Sequence, residues 1–153
     1  MAHYPLNHHL RTPYRLLAGV AGLYLTLAGI LGIAVSSGDD FFGRVAGDWA
    51  LGLRFNPAGA WVTTLLGVAV LVAAARGGNA HHRANVILGW ALIGVAMVML
   101  AVIQTDANIL DFSMVNVIVV TLIGLAVLTA GLYGKVGSEG AEHTEQDQTR
   151  AAV

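Results

Sequence analysis

Two short polar segments contain most of the side chains that could bind an ion, a ligand or a partner protein. Their members are Asp48, Trp49, Arg54 and Asn56 in the first segment, and Asp106, Asn108, Asp111 and Asn116 in the second. The oxygen atoms of the second segment could bind a hard cation such as calcium. Its spacing matches no EF-hand, however, and Asp and Asn are also common residues of turns and helix caps. We therefore predict a structural turn there rather than a metal site.

Hydroxyl side chains inside apolar sequence form a second group of candidates. They are Tyr24, Thr26, Thr64 and Thr121. A hydroxyl without a partner is costly in hydrocarbon, so we expect several of them to form hydrogen bonds across helices. Such a cluster could bind a quinone headgroup or another amphipathic ligand. The structural alternative, which we favour, is that these groups join helices or bond the carbonyl four residues earlier.

Signatures of catalysis and of cofactor binding are missing from the sequence. The chain has no cysteine, which rules out disulfides, thiolate catalysis and cysteine-ligated metals. Its six histidines show no HExxH-like spacing, and we expect them near lipid phosphates. There is no Walker A loop and no charged residue within the apolar runs to relay protons. We predict no catalytic residue, no cofactor, no metal and no enzymatic activity.

Four apolar runs are the elements that must position these residues. Only 11% of the residues are charged and 56% are hydrophobic, whereas a soluble domain carries about 25% charged residues. About 20 apolar residues cross a bilayer as a helix, and the predicted spans cover about residues 14–35, 57–75, 84–103 and 113–134. Asn56 before Pro57, and Ser113, are suitable N-caps. We predict an all-α integral membrane four-helix bundle with up-down-up-down topology and short loops, formed by residues 1–137, followed by a disordered polar tail, 138–153.

Basic residues orient the predicted spans. One side of the membrane is flanked by Arg11, Arg15, Arg76, Arg83 and Lys135, and the other side only by Arg44 and Arg54. The positive-inside rule therefore predicts that both termini and the loop from Arg76 to Arg83 lie in the cytoplasm. The two polar segments then lie together on the outer face. A net charge of −1 gives no basic footprint, so we predict no nucleic-acid partner. The lipid bilayer is the partner that the apolar runs predict.

The first connection and the glycine stripes suggest how the chain contacts its surroundings. Phe41, Phe42, Val45 and Trp49 fall at 3–4 spacing, which predicts a short interfacial helix in the first loop, with Trp49 and Phe55 as headgroup anchors. A partner-docking surface is the alternative. Small residues at similar spacing in the spans predict close packing and a possible homo-oligomer or larger membrane complex.

Four segments of the chain resemble a known family. These segments are His3–Arg15, Asp48–Pro57, Gln104–Asn116 and Gly131–Gly137. Together they resemble the domain of unknown function 4383, a family of small actinobacterial membrane proteins. The resemblance implies a four-span protein of the bacterial plasma membrane without an assigned activity, and it transfers no catalytic residue.

Two functions follow as hypotheses. The first is a non-enzymatic accessory or scaffolding membrane component, because close-packing stripes occur without any catalytic constellation. The alternative is a small-molecule, lipid or quinone binder or a permease subunit, which would use the hydroxyl residues and the second polar segment.

Overall fold

The computed structural model describes residues 11–44, 48–76 and 78–133, which form four α-helices and one β-hairpin. The helices are α1 (Arg11–Val35), α2 (Pro57–Arg76), α3 (Gly78–Val102) and α4 (Met114–Tyr133). The hairpin lies in the α1–α2 connection and consists of β1 (Asp48–Ala50) and β2 (Leu53–Phe55). The predicted tail, residues 138–153, lies outside the described residues.

All four helices are long and apolar enough to cross a membrane. The shortest have 20 residues, which at 1.5 Å per residue span about 30 Å. The predicted all-α four-span bundle is thereby confirmed. The third helix begins at Gly78, six residues before the predicted boundary, so the α2–α3 connection is tighter than expected and His81 and His82 are helical.

The four helices form two antiparallel pairs, α1–α2 and α3–α4, which make far more contacts within each pair than between pairs. Glycine allows the close approach in each seam. A Cβ atom at Gly67 of α2 would lie 2.5 Å from the Thr26 backbone nitrogen of α1. A Cβ atom at Gly89 of α3 would lie 2.6 Å from the Leu128 backbone nitrogen of α4. The stripe of small residues therefore packs the chain against itself within each pair.

We expect Gly89→Ala to lower the free energy of unfolding by about 2 kcal/mol, because the added methyl group would overlap backbone atoms that cannot rotate away. Gly94→Ala is the matched control on the same helix, since a Cβ atom there would meet nothing within 4 Å. Equilibrium unfolding of both variants in lipid bicelles makes the comparison. Equal stabilities of the two variants would contradict the close seam.

The hairpin corrects the prediction of an interfacial helix in the first loop. Residues 48–55 instead pair as antiparallel strands joined by a two-residue turn, Leu51-Gly52, in which both residues have positive φ (49° and 83°). Two such residues give a turn whose twist matches the flanking strands. The anchors also differ from the prediction: Trp49 is exposed, but Phe55 is buried. Phe41 and Phe42 lie in a turn before the hairpin.

The hairpin lies along α1 and reaches deep into the bundle. Phe55 packs on Gly32, Leu53 belongs to the cluster around Ala28, and the Leu51 carbonyl accepts a hydrogen bond from Tyr24. The contacts thus extend from residue 32 down to residue 24 of α1, about 12 Å along the helix axis. Non-helical backbone is tolerated at this depth only where protein covers it. The hairpin must therefore be held by side chains of the neighbouring helices.

We name the two ends of the bundle by their contents. The hairpin end carries the α1–α2 and α3–α4 connections, with Asp39, Asp40, Asp48, Asp106 and Asp111. The arginine end carries Arg15, Arg76 and Arg83 of α1, α2 and α3. No acidic residue of the described ranges lies at the arginine end. The bundle is therefore strongly polarised in charge along its axis.

Candidate functional site

The structure brings five of the eight predicted outer-face residues into one assembly at the hairpin end, where four of them are buried and Arg54 is half-buried. We call it the hairpin-end network, and it consists of Arg54, Asn56, Asn108, Asp111 and Asn116. The other three lie outside this network. Asp106 forms an exposed ion pair with Arg44, with 2.6 Å between Nη1 and Oδ1. Asp48 is half-buried at the start of β1, and Trp49 is exposed.

Asn116, in the first turn of α4, completes the open edge of the hairpin. Its Oδ1 accepts from the Arg54 backbone N–H at 3.0 Å, and its Nδ2 donates to the Arg54 carbonyl at 2.7 Å. One side-chain amide thus makes the two bonds that a neighbouring strand would make. Ser113 supports it, because the Ser113 hydroxyl donates to Asn116 Oδ1 at 2.6 Å. This arrangement satisfies a strand edge where water is scarce.

Arg54 also joins the hairpin to the loop before α4. Its Nη2 donates to Asp111 Oδ1 at 2.8 Å, and its Nε donates to the Asp111 carbonyl at 3.1 Å. The Asp111 side chain is buried, and its Oδ2 has no hydrogen-bond partner among the described residues. Burial raises the pKa of the Asp111 carboxyl, although Arg54 and Arg44 act in the opposite direction. Desolvation of the carboxylate therefore outweighs its ion pair.

Asn56 and Asn108 act as caps and turn formers. Asn56 Oδ1 accepts from the Gly59 N–H at 2.7 Å and so caps α2, while its Nδ2 donates to the carbonyls of Gly43 and Ile109. Asn108 Oδ1 accepts from the Phe112 N–H, and its Nδ2 donates back to the Phe112 carbonyl. The amide groups are occupied by protein backbone. This favours the predicted structural turn over a cation site, and the part of the chain that the structure describes contains no group of three or more His, Cys, Asp or Glu side chains that could hold a metal ion.

Apolar side chains occupy the exposed surface around this network. We call them the apolar rim, and they are Phe41, Phe42, Trp49, Leu51 and Ile109, each about half exposed. Phe41 and Phe42 pack edge to face with ring centroids 4.8 Å apart. Phe41 is also tied to the bundle, because its carbonyl accepts from the Ala58 N–H at the start of α2. The hairpin end thus combines a largely buried polar network with exposed apolar side chains, beside the exposed Arg44–Asp106 ion pair.

The predicted midplane cluster does not form cross-helix hydrogen bonds through its threonines. The Thr26, Thr64 and Thr121 hydroxyls each donate to the carbonyl four residues earlier, at 2.7–2.9 Å. This part of the prediction was wrong, because the carbonyl in the preceding turn lies within reach of every helical threonine. Thr26 and Thr64 instead lie in the α1–α2 seam, where Gly67 and Gly29 of the facing helix make room for them.

Tyr24 is the member of the predicted cluster that makes a long-range bond. Its hydroxyl donates to the Leu51 carbonyl at the tip of the hairpin, at 2.9 Å. Beneath this contact, a groove of about 390 Å³ opens between α1 and α4 and is lined by Leu17, Val20, Val119 and other apolar residues. Tyr24 is its one polar lining residue, and the Tyr24 hydroxyl is already engaged. The groove suits an apolar chain and offers no free polar group to a headgroup.

We expect Tyr24→Phe to lower the free energy of unfolding by about 1 kcal/mol, because it leaves the Leu51 carbonyl without its side-chain donor. Hydrogen exchange of the amides in residues 48–55 should accelerate at the same time. Thr129→Val is the control, since the Thr129 hydroxyl bonds only the Leu125 carbonyl of its own helix. Unchanged exchange in the hairpin of Tyr24→Phe would show that the bond does not hold the tip.

Several contributing residues were missed by the sequence reasoning. Arg15 donates to the carbonyls of Ala74 and Ala75, whereas the sequence indicates only that a basic residue flanks the first span. His81 is buried, with Nδ1 3.0 Å from the Ala73 carbonyl, and His82 Nδ1 lies 2.6 Å from the Gly131 carbonyl. Both rings thus contact helix ends rather than only the lipid interface. His3, His8, His9 and His143 lie outside the described residues.

Comparison with protein-family models identifies a family for this chain. The family model described as Domain of unknown function (DUF4383) matches residues 15–133, which include all four helices except the first turn of α1. No curated protein and no solved structure matches the chain.

Proposed function

The chain belongs to the family described as Domain of unknown function (DUF4383), and on that premise we propose that it is a non-enzymatic accessory or scaffolding component of a membrane complex. Its four apolar helices make it a multi-pass membrane protein. The family description supplies no activity, and the arrangement of side chains at the hairpin end supports this function.

The proposal rests on one observation at the hairpin end: the polar side chains bond backbone atoms, and apolar side chains are exposed around them. The polar groups of the hairpin-end network bind backbone atoms of the hairpin, the α2 N-terminus and the α3–α4 loop. The apolar rim is exposed around them, beside the exposed Arg44–Asp106 ion pair. Exposed aromatic side chains on a fixed backbone are the usual anchors of protein interfaces. The rim is therefore suited to docking a second protein, either another copy or a larger complex.

Photo-crosslinking in intact cells tests this function. A photoreactive benzoylphenylalanine at Phe42 of the apolar rim should give one discrete, higher-mass species. The same probe at Trp90, which is exposed midway along α3, serves as the matched control and should give none. Native mass spectrometry should detect a stoichiometric assembly of the parent protein. Phe42→Ala should abolish this assembly, whereas Trp90→Ala should not. A monodisperse monomer with no product at position 42 would refute the proposal.

We propose that the chain lies in a bacterial plasma membrane with both termini in the cytoplasm. The charge polarity of the bundle supports this orientation. Because the chain has no cysteine, single cysteines report topology without background. Ser37→Cys at the hairpin end should react with an impermeant maleimide in intact cells, and Thr12→Cys at the arginine end should react only after lysis. The reverse pattern would invert the orientation and place the apolar rim in the cytoplasm.

A lipid or quinone binder, or a permease subunit, is the alternative function. The groove beside Tyr24 supports it to the extent that an apolar tail fits there. The threonines bond their own helices and Tyr24 bonds the hairpin, so the geometry offers a headgroup little to bind. The scaffolding function is better supported for this reason.

A further inference from the structure

Beyond the scaffolding role, we propose that the arginine end of the α1–α2 seam is a binding site for one anionic phospholipid. Its phosphate would contact Arg15, and one acyl chain would lie in a groove beside Gly19. The site is at the opposite end of the bundle from the apolar rim and does not depend on a protein partner.

The Arg15 guanidinium is held in place at the end of α2. Its Nε donates to the Ala74 carbonyl at 2.6 Å, and its Nη2 donates to the Ala75 carbonyl at 2.7 Å. The last carbonyls of a helix have no partner within the helix, so Arg15 satisfies two of them. A guanidinium carries five N–H groups, and in the described part of the chain the other three have no acceptor. Among the described residues, Arg15 is therefore a pre-oriented donor with three N–H groups that bond no acceptor.

Charge at this end favours an anion. Arg76 follows the two carbonyls directly and is exposed, and Arg83 is exposed on the next helix. Neither these residues nor Arg15 forms an ion pair within the described ranges, where the two ion pairs are both at the hairpin end. Basic pockets between membrane helices at one end are typical sites for acidic lipid headgroups. A planar guanidinium suits a phosphate because two of its N–H groups can bind two oxygens.

An apolar groove leads from Arg15 along the seam. It has a volume of about 460 Å³, with Thr12 and Arg15 at its mouth and Leu16, Gly19 and Leu71 along its length. The groove is open beside Gly19, where a Cβ atom would meet nothing within 4 Å. From Thr12 to Gly19 the groove follows α1 for about 10 Å, roughly two thirds of the hydrocarbon depth of one leaflet. A hydrogen-bond donor for a phosphate next to a groove for an acyl chain fits a phospholipid better than a free anion.

Native mass spectrometry with titrated lipids tests the site. In mild detergent, the first bound phosphatidylglycerol should have about fivefold higher affinity than phosphatidylcholine, the effect expected of one arginine at an anionic lipid. Arg15→Gln should remove this preference, whereas Arg44→Gln, the control at the hairpin end of the bundle, should preserve it. Inorganic phosphate alone should not raise the melting temperature, which distinguishes a lipid from a free phosphate.

A second variant tests the groove without altering the charge. Gly19→Leu places a side chain in open space, so it should fill the groove and weaken the first lipid adduct at least fivefold while the melting temperature stays unchanged. Gly94→Leu, also at an open glycine, is its control and should not affect lipid binding. Circular dichroism confirms that each variant is folded. Equal affinity for both lipids, or equal losses in Arg15→Gln and Arg44→Gln, would overturn the proposal.

Discussion

Arg54→Met should lower the free energy of unfolding at pH 7.5 by about 3–5 kcal/mol. The variant removes the cation that faces the buried Asp111 carboxylate, together with the bond from Nε to the Asp111 carbonyl. An unpaired buried charge is more costly than a surface ion pair that is simply lost. The measurement is equilibrium unfolding in lipid bicelles. Arg44→Met is the matched control, because its pair with Asp106 is exposed, and it should change stability by less than about 1 kcal/mol.

A neutral partner should rescue this variant. Asp111→Asn keeps an oxygen for Arg54 and tolerates the positive φ of 49° at this position, but it carries no charge. The double variant Arg54→Met/Asp111→Asn should therefore recover most of the lost stability, and the double-mutant cycle measures the coupling. A double variant as unstable as Arg54→Met alone would show that the cost comes from the lost arginine stem and not from the stranded carboxylate.

The pH dependence follows from the same carboxyl group. Burial raises the pKa of Asp111, so the folded protein holds this proton at a higher pH than the unfolded chain does. The stability contributed by the protonated group is fully present below the ordinary pKa of 3.8 and is lost as the pH rises through the raised pKa of the folded state. The penalty of Arg54→Met should accordingly shrink as the pH is lowered. Asp111→Asn should remove this component of the pH profile, and at neutral pH it should be at least as stable as the parent protein.

Asn116→Leu should lower the free energy of unfolding by about 3 kcal/mol, because it leaves both the N–H and the carbonyl of Arg54 without partners at the hairpin edge. Leucine has a similar size and suits a membrane helix, so the loss reports the two hydrogen bonds rather than helix formation. Protection of the hairpin amides from hydrogen exchange should fall in parallel, while the cores of α1–α4 remain protected.

Asn116→Asp separates the two bonds. It keeps an oxygen that can accept from the Arg54 N–H but loses the donor to the Arg54 carbonyl. Thr121→Val, one turn further along α4, is the neutral control, because the Thr121 hydroxyl bonds only its own helix. If Asn116→Leu were no less stable than Thr121→Val, the amide would not be what holds the hairpin edge.

The sequence was sufficient to predict the spans and several caps. Asn56 and Ser113 were assigned as N-caps from their positions before α2 and α4, and Asn56 Oδ1 and Ser113 Oγ accept the N–H of Gly59 and Asn116. These are local interactions between residues three positions apart. The predicted four-span topology also places both polar segments at one end of the bundle, and they meet at the hairpin end.

The hairpin could not be predicted in the same way. Its strands have three residues each, too few to show the alternation of apolar and polar residues that distinguishes a strand from a helix. The spacing of Phe41, Phe42, Val45 and Trp49 also fits one face of a helix. An isolated hairpin of this length is marginal in water. Its stability here comes from Tyr24, Asn116 and the packing of Leu53 and Phe55 against α1.

The sequence by itself determined that this chain crosses a membrane four times, because the length and apolarity that a bilayer requires are properties of consecutive residues. Only the tertiary structure decided what its polar residues do. Arg54 and Asn116 are 62 positions apart, and they meet because antiparallel helices bring two connections to one end. There the side-chain donors and acceptors are taken up by backbone atoms, so the residues that looked like a binding site are the ones that hold the hairpin in place.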